Sequence, residues 1–187
     1  EEVKSLNKRK VRDCLRLLRS ILFSWLYVPH LLVFVIMGVK MLIISDLLAI
    51  SNQISIKMPI GLQLLYQLHN NRYYRNLYYH RIGPIWSALI GWYRLGDKYF
   101  TIGKAAKIGK GFWFAHPYST ILAADKIGDN FQCLHCTTLG NTEKGRPTIG
   151  NNVALGANVT IIGPVHVGNN VIIGAGSVVV KDILDNC

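Results

Sequence analysis

An apolar residue returns every six positions along the last part of the chain, usually followed by Gly or another small residue. The series is Ile102, Ile108, Phe114, Ile121, Ile127, Cys133, Leu139, Ile149, Leu155, Ile161, Val167, Ile173 and Val179. Only two steps break the period, with one extra residue before Ile121 and four before Ile149. A six-residue period fits neither a helix nor plain strand alternation, but it fits short strands joined by tight corners. We therefore predict a solenoid wound around one apolar column, with Gly, Asn and Asp at its corners.

The N-terminal part has a different pattern, with basic and apolar residues at helical spacing. Seven basic residues between Lys4 and Arg19 alternate with Val and Leu, which predicts a basic amphipathic helix. The charge-free run from Ile21 to Val39 follows, and its nineteen residues are enough to span a bilayer. Three placements of this run stay open: contact of residues 4–50 with a membrane surface, burial in an oligomer, or a true span.

Charge divides the chain near residue 98. Up to Lys98 there are 14 Lys and Arg against 5 Asp and Glu, and from Tyr99 onward 7 against 5. The stretch from Gly61 to Tyr93 mixes Tyr, Arg and Trp with aliphatic residues at helical spacing. This spacing favours packed helices with snorkelling Arg over a nucleic-acid surface, so no nucleic-acid partner is expected. We predict an α-helical region over residues 1–98, with membrane association left open, and a β-solenoid over residues 99–187.

The ends of the chain and its cysteines add two expectations. The chain begins without Met and stops at Cys187 partway through a repeat, so we expect the cap of the solenoid to be missing. The four cysteines form no secreted-domain framework, which favours a reducing cytoplasm. Cys133 and Cys136 form a lone CxxC, whereas structural zinc sites normally use two ligand pairs. Cys133 also falls on the apolar column, and no metal is expected.

One line of residues on the predicted coil carries candidate chemistry. If three hexads make one turn, residues three hexads apart stack at about 4.8 Å. The positions two after the apolar residue are then His116, His135, Ala157 and Ala175. A histidine exchanges a proton near neutral pH, and alanines leave a narrow groove for a thin ligand. The alternative is that ordinary surface residues fall on this line by chance.

The longest insertion in the repeat is the polar segment from Asn141 to Pro147. It could fold over a ligand or reach a neighbouring subunit, and its Arg146 could contact an anionic group. The alternative is a plain solvated loop.

These motifs resemble the hexapeptide-repeat acyltransferases, and within them the serine O-acetyltransferase-like group. The matching segments are Phe114-Ala115-His116-Pro117-Tyr118, Thr138-Leu139-Gly140-Asn141, Arg146-Pro147-Thr148-Ile149-Gly150, Leu155-Gly156-Ala157 and Ile173-Gly174-Ala175-Gly176-Ser177-Val178-Val179. They cover about the last 90 residues, and Tyr78-Tyr79-His80-Arg81-Ile82-Gly83 is similar to the helical lead-in of the same group.

The resemblance implies a fold, an assembly and a reaction. The fold is a left-handed parallel β-helix preceded by helices, and the assembly is a homotrimer with active sites between subunits. The reaction is acetyl transfer from acetyl-CoA to a hydroxyl, with His116 as the general base. The expected contacts with acetyl-CoA are Gly140, Asn141, Ala157 and Ala175. The acceptor site is expected to include Tyr118, His135 and Arg146.

Two departures from the serine acetyltransferase pattern bear on the acceptor. That pattern has Asp before the catalytic His, where this chain has Ala115, and a second His where this chain has Arg146. Both groups help to hold serine. The form His116-Pro117-Tyr118 is more similar to relatives that acetylate sugars of surface polysaccharides. We therefore favour a sugar acceptor, with serine as the alternative, and a cytoplasmic enzyme that contacts the inner face of a bacterial membrane.

Two rival functions remain open from the sequence. A zinc enzyme similar to γ-carbonic anhydrase needs three converging His ligands, and His116 and His135 could supply two of them. His166 sits at a different position in its hexad. The second rival is a non-catalytic solenoid scaffold, which an intact groove for coenzyme A would contradict.

Overall fold

The computed structural model describes residues 2–187, with side chains described from Leu6 onward. Lys4, which belongs to the predicted basic helix, therefore has its side chain outside the described residues. The chain divides into two compact units, one ending at Gly96 and the other covering Asp97–Cys187. This division lies two residues before the boundary that composition suggests.

The first unit is helical. Its elements in order are α1 (Glu2–Leu22), a 3-10 helix (Ser24–Tyr27), α2 (Val28–Ile36), α3 (Lys40–Ile50), a second 3-10 helix (Ser51–Gln53), α4 (Ile60–Asn70) and α5 (Arg72–Gly91). Pro29 lies in the first turn of α2, where its missing N–H costs no hydrogen bond. Asn71 caps α5 by accepting from the N–H of Tyr74 at 3.1 Å. Gly83 interrupts α5 with φ of 79°, directly before Pro84, so the helix is kinked there.

The run from Ile21 to Val39 is divided among the end of α1, the first 3-10 helix and α2. Among the described residues no single helix is both long and apolar enough to cross a bilayer. The consecutive pair Leu6–Leu22 and Ser24–Ile36, bent by 73°, meets the length and composition criterion only when taken together.

The core of the helical unit contains paired charges as well as apolar side chains. Arg81 donates two hydrogen bonds to the carboxylate of Asp46, at 2.9 and 3.1 Å, and both side chains are buried. Arg75 is also buried and donates to the backbone oxygens of Leu68 and Leu95. The prediction of snorkelling Arg is therefore wrong for these two residues, because internal acceptors meet their guanidinium groups.

The second unit is a coil of thirteen short parallel strands. The strands are β1 (Phe100–Ile102), β2 (Lys107–Ile108), β3 (Trp113–Phe114), β4 (Thr120–Leu122), β5 (Lys126–Ile127), β6 (Gln132–Cys133), β7 (Thr138–Gly140), β8 (Thr148–Ile149), β9 (Ala154–Leu155), β10 (Thr160–Ile162), β11 (His166–Val167), β12 (Ile172–Ile173) and β13 (Val178–Val179). They form sheet 1 (β1-β4-β7-β10-β13), sheet 2 (β2-β5-β8-β11) and sheet 3 (β3-β6-β9-β12). Successive strands pass through sheets 1, 2 and 3 in turn, which makes about four turns of a solenoid. The predicted left-handed β-helix is confirmed.

The apolar column is confirmed at most of its positions and wrong at one. Leu122, rather than Ile121, occupies the inside of sheet 1. Leu122 is fully buried and pairs with Ile102 and Leu139, whereas Ile121 is 47% exposed. The reason is that the corner after Phe114 contains two extra residues rather than one, and the next corner is one residue shorter. The two changes together leave Ile127 in the position that the six-residue count predicts.

The corner between sheets 2 and 3 is built from stacked Asn residues. Asn130 donates to Asn152, which donates to Asn170, with side-chain distances of 2.9 Å in each case. All three have φ of 56°, a conformation that Asn tolerates better than most residues. At the same corner a side chain on Gly150 would lie 2.5 Å from the backbone oxygen of Gly168, so only Gly fits. The sequence pattern of Gly and Asn thus fixes the corner.

Residues after β13 begin a further turn. Ile183 pairs with Val167 in a parallel bridge, and the N–H of Ile172 donates to the backbone oxygen of Cys187 at 2.8 Å. The last described residues therefore continue the ladder of the coil.

Candidate active site

His116 lies on an exposed corner between sheet 3 and sheet 1, which we call the 3/1 corner. It comes two residues after Phe114. The side chain of Phe114 is buried, and its backbone pairs with that of Cys133 in the parallel ladder. The backbone of His116 is left-handed, with φ of 48°, and its carbonyl accepts from the N–H of Tyr118 at 2.6 Å. Pro117 is buried and holds the tight turn between them. The imidazole is exposed on this turn, where an acceptor can approach it.

The predicted line of four residues is correct for three of them and wrong for the first. Backbone hydrogen bonds between successive turns show which positions stack. The N–H of Cys136 donates to the carbonyl oxygen of Tyr118, that of Asn158 to the carbonyl oxygen of His135, and that of Gly176 to the carbonyl oxygen of Ala157. Equivalent positions in successive turns are therefore Tyr118, His135, Ala157 and Ala175, listed from the first turn to the last. His116 precedes this line by two residues, because it and Pro117 form the insertion at the first corner. Tyr118 and His116 consequently share one turn of the site.

Small side chains continue the line beyond His135. Ala157 is half-buried and Ala175 is exposed, each ending in a single methyl group. Gly156, beside Ala157, lies so close to the next turn that an added side-chain carbon would be 2.6 Å from the nitrogen of Ala175. Along the 3/1 corner, the turn that carries the His135 imidazole is therefore followed by two turns that expose only an alanine methyl group and backbone. An extended, narrow ligand fits such a surface better than a bulky one.

Tyr99 also lies at the 3/1 corner, although it is not among the residues predicted for the site. Its ring lies 5.2 Å from the ring of Tyr118, at an interplanar angle of 55°. About half of each side chain is exposed. The backbone oxygen of Tyr99 accepts from the N–H of Thr120, which fixes its strand beside that of Tyr118. Its position directly before β1 is the sequence signal that could have placed it here.

The remaining predicted site residues lie at the other end of the sheet 1 strands, on the corner between sheets 1 and 2, which we call the 1/2 corner. Gly140 ends β7, and Asn141 begins the polar loop. Thr142 and Gly145 close the loop with two backbone hydrogen bonds of 2.9 and 3.1 Å. Three residues of strand span roughly 10 Å. A single chain therefore does not bring Gly140, Asn141 and Arg146 together with His116.

Arg146 has an acidic neighbour that the sequence pattern does not indicate. Its Nη1 lies 3.9 Å from Oδ1 of Asp125, and both side chains are substantially exposed. Asp125 comes from the preceding turn, directly before β5. An exposed pair of this kind is weak, so the guanidinium stays available to a ligand.

Cys133 is unsuited to metal or nucleophilic chemistry in this fold. It is fully buried in the apolar column, and burial raises the pKa of its thiol to about 12. His166 lies on sheet 2, where its Nδ1 is 3.0 Å from the hydroxyl of Thr148, away from the 3/1 corner. Among residues 2–187 as described, no three His, Cys, Asp or Glu side chains cluster as metal ligands.

Comparisons with known proteins find relatives for this coil. Residues 146–181 match the family described as bacterial transferase hexapeptide (six repeats). A protein of Escherichia coli K12, named as a colanic acid biosynthesis acetyltransferase (WcaB), is 41% identical over 113 residues, which cover 56% of this chain and 70% of that protein. Helicobacter pylori serine acetyltransferase is 38% identical over 87 residues, covering 44% of this chain and 51% of the relative.

Solved structures extend the likeness beyond the coil. The crystal structure of Neisseria gonorrhoeae serine acetyltransferase in complex with serine has a TM-score of 0.62 and 30% identity. The match covers 79% of this chain and 64% of that one. The chain thus spans less than two thirds of these serine acetyltransferases. Since the coil is about half of the chain, the match includes part of the helical unit.

Proposed function

Because the chain belongs to the hexapeptide-repeat acyltransferases and is an acetyltransferase of the serine acetyltransferase and WcaB type, we propose that it acetylates a hydroxyl of a sugar in a surface polysaccharide. The acetyl donor is acetyl-CoA, which the acetyltransferase relatives imply as the co-substrate. The observation that carries the choice of a sugar is the exposed ring pair of Tyr99 and Tyr118 beside His116.

In the proposed reaction His116 is the general base. Its imidazole accepts the proton of the acceptor hydroxyl while the hydroxyl oxygen attacks the thioester carbonyl carbon of acetyl-CoA. A carbon–oxygen bond forms, the carbon–sulfur bond breaks, and the proton passes from His116 to the departing thiolate. Exposure of His116 on a tight turn allows both substrates to reach it. The products are the acetyl ester and free coenzyme A.

The donor and the acceptor approach His116 from different directions in this proposal. The pantetheine arm of coenzyme A is narrow and extended, so it runs along the methyl-sized levels of Ala157 and Ala175. Gly140 and Asn141 contact the donor from the 1/2 corner, and His135 borders the reacting groups. The apolar face of a sugar ring packs against Tyr118 and Tyr99, as aromatic side chains bind such faces.

A homotrimer gives this proposal its complete site. In one chain the residues of the 3/1 corner and those of the 1/2 corner lie at opposite ends of the sheet 1 strands. A three-fold assembly sets the 3/1 corner of one subunit against the 1/2 corner of the next, so that Arg146 meets the acceptor from the neighbour. The enzyme works in the cytoplasm, where acetyl-CoA is available.

Serine is the second candidate acceptor, favoured by the match to the serine-bound Neisseria gonorrhoeae enzyme over 79% of this chain. Ala115 and Arg146 stand where the serine acetyltransferase pattern has Asp and His, and neither reproduces those groups. The WcaB relative, named for colanic acid biosynthesis, favours the sugar.

An acceptor panel tests the proposal. Release of free thiol from acetyl-CoA is measured with serine, with nucleotide sugars and with polysaccharide oligosaccharides, and the product is identified by mass. We expect turnover with a sugar only, and Tyr118→Leu should raise the KM for the sugar while leaving the KM for acetyl-CoA unchanged. Tyr118→Phe, which keeps the ring and removes only the hydroxyl, is the matched control and should leave both KM values nearly unchanged. Turnover with serine and with no sugar would contradict the proposal.

A further inference from the structure

The helix α1 exposes a line of apolar side chains. Val11, Leu15, Leu18 and Leu22 are each between 60% and 71% exposed. Their spacing of four, three and four residues places them along one face of the helix. Exposed aliphatic side chains in such a row are unusual on a soluble surface and indicate an interaction site.

The opposite face of α1 is fixed to the helical unit. Asp13 is buried and accepts hydrogen bonds from the backbone and the hydroxyl of Ser55, at 2.9 and 2.6 Å, and from Tyr66 at 3.1 Å. Two turns further on, the hydroxyl of Ser20 accepts from Asn70 at 2.9 Å. These polar contacts fix the rotation of α1 about its own axis. The row of Val11, Leu15, Leu18 and Leu22 therefore faces away from α4.

Basic side chains border the row. A shallow hollow of about 560 Å³ is lined by Asn7, Val11 and Leu15 together with four basic residues. These are Lys8, Arg12, Arg16 and Arg19. The only described acidic side chain of α1 is that of Asp13, which faces inward. The exposed face of α1 is therefore apolar along its centre and positively charged along its border.

Apolar exposure continues past the end of α1. Trp25 in the following 3-10 helix is 66% exposed, and α2 exposes Leu32, Val35 and Ile36. Tryptophan is enriched where proteins meet the headgroup region of a bilayer. The chain thus carries apolar surface through two successive elements after the basic border ends.

We propose that this face of α1 docks on the surface of an anionic lipid bilayer. An apolar stripe with a basic border matches a membrane of negative charge, because acyl chains accept the leucines and headgroups accept the cations. A second copy of the chain fits less well, since it would place two basic borders against each other. This docking is independent of the acceptor, so it can hold whether the acetylated hydroxyl belongs to a sugar or to serine.

Vesicle sedimentation of the full chain tests the docking. The vesicles contain phosphatidylglycerol and phosphatidylcholine in equal parts, with pure phosphatidylcholine for comparison. We expect binding to the anionic vesicles, with weakening as salt rises. Leu15→Ser should lower the partition coefficient about tenfold. Lys8→Gln should lower it about fivefold, from the loss of one cation near the surface.

Matched controls come from the other unit. Leu184 is 79% exposed, and Lys126 is exposed on β5, so Leu184→Ser and Lys126→Gln make the same chemical changes in the solenoid unit. Both should bind the vesicles as the parent chain does, and circular dichroism checks that every variant folds. The proposal is overturned if anionic vesicles bind no protein at low salt, or if the controls lose as much binding. It is also overturned if Leu15→Ser reduces self-association without lipid and leaves vesicle binding unchanged, because a second copy then covers the stripe.

Discussion

The register of sheet 1 is open to a direct test with two neighbouring residues. Leu122 is fully buried between Ile102 and Leu139, whereas nearly half of Ile121 is exposed. Leu122→Ala removes three buried carbons from a column with a strand above and a strand below it, so little collapse can fill the space. Such changes cost about 2–5 kcal/mol, and we expect about 3–4 kcal/mol here. Ile121→Ala should cost about 1 kcal/mol or less, as a change at a half-exposed position.

Urea unfolding followed by the circular dichroism of the β-structure measures both changes. With a slope of about 2 kcal/mol per molar urea, Leu122→Ala should lower the midpoint by about 1.5–2 M. Repeating the titration at two protein concentrations separates an effect on folding from an effect on association. Equal losses from the two variants, or a larger loss from Ile121→Ala, would show that Ile121 points inward and refute the register.

Two further predictions concern the helical unit. Burial lowers the pKa of His30 to about 4, and the nearby Arg75 and Arg94 add to this shift. Between about pH 6.5 and 4, His30 binds a proton in the unfolded chain but not in the folded chain. The free energy of unfolding therefore falls as the pH drops, by about 3 kcal/mol in total. His30→Gln should remove this component from urea midpoints measured at pH 7.5 and 4.5, and an unchanged pH dependence would contradict it. Arg81→Met should destabilise the helical unit by about 3–5 kcal/mol in urea titrations, because it leaves the buried Asp46 carboxylate without its cation. Adding Asp46→Leu should restore part of the lost stability, and a further loss in the double variant would contradict this prediction.

The solenoid could be predicted from the sequence because its pattern is local. Each turn repeats the same apolar, Gly and Asn positions, so the period alone indicates the coil and its corners. Which residue of β4 points into the core, Ile121 or Leu122, was not predictable in the same way. Two extra residues at one corner and one missing residue at the next leave Ile127 in step, and a count along the chain does not detect the shift.

The line of site residues along the 3/1 corner could be predicted from the period where it follows the ladder. His135, Ala157 and Ala175 occupy the positions that the six-residue period gives, whereas the Tyr99 and Tyr118 ring pair depends on pairing between turns. The separation of Arg146 from His116 also required the strand order.

In the helical unit the sequence indicated an amphipathic α1 but not its orientation. The leucine row would ordinarily be buried, yet the structure buries the face of Asp13 and Ser20 instead. Hydrogen bonds from Ser55, Tyr66 and Asn70 make this possible, and these partners lie more than 40 residues away along the chain. Partners at such separations leave no periodic signal in the sequence.

The most direct test of the proposed chemistry is the rate of thiol release from acetyl-CoA by His116→Ala, compared with the parent chain and with His166→Ala. His166 is an exposed histidine of the same coil on a different sheet, so its removal should leave the rate nearly unchanged. Loss of the general base should lower kcat by about 10²–10⁴-fold while coenzyme A still binds. Full turnover by His116→Ala, or an equal loss in both variants, would contradict the role of His116 as the base.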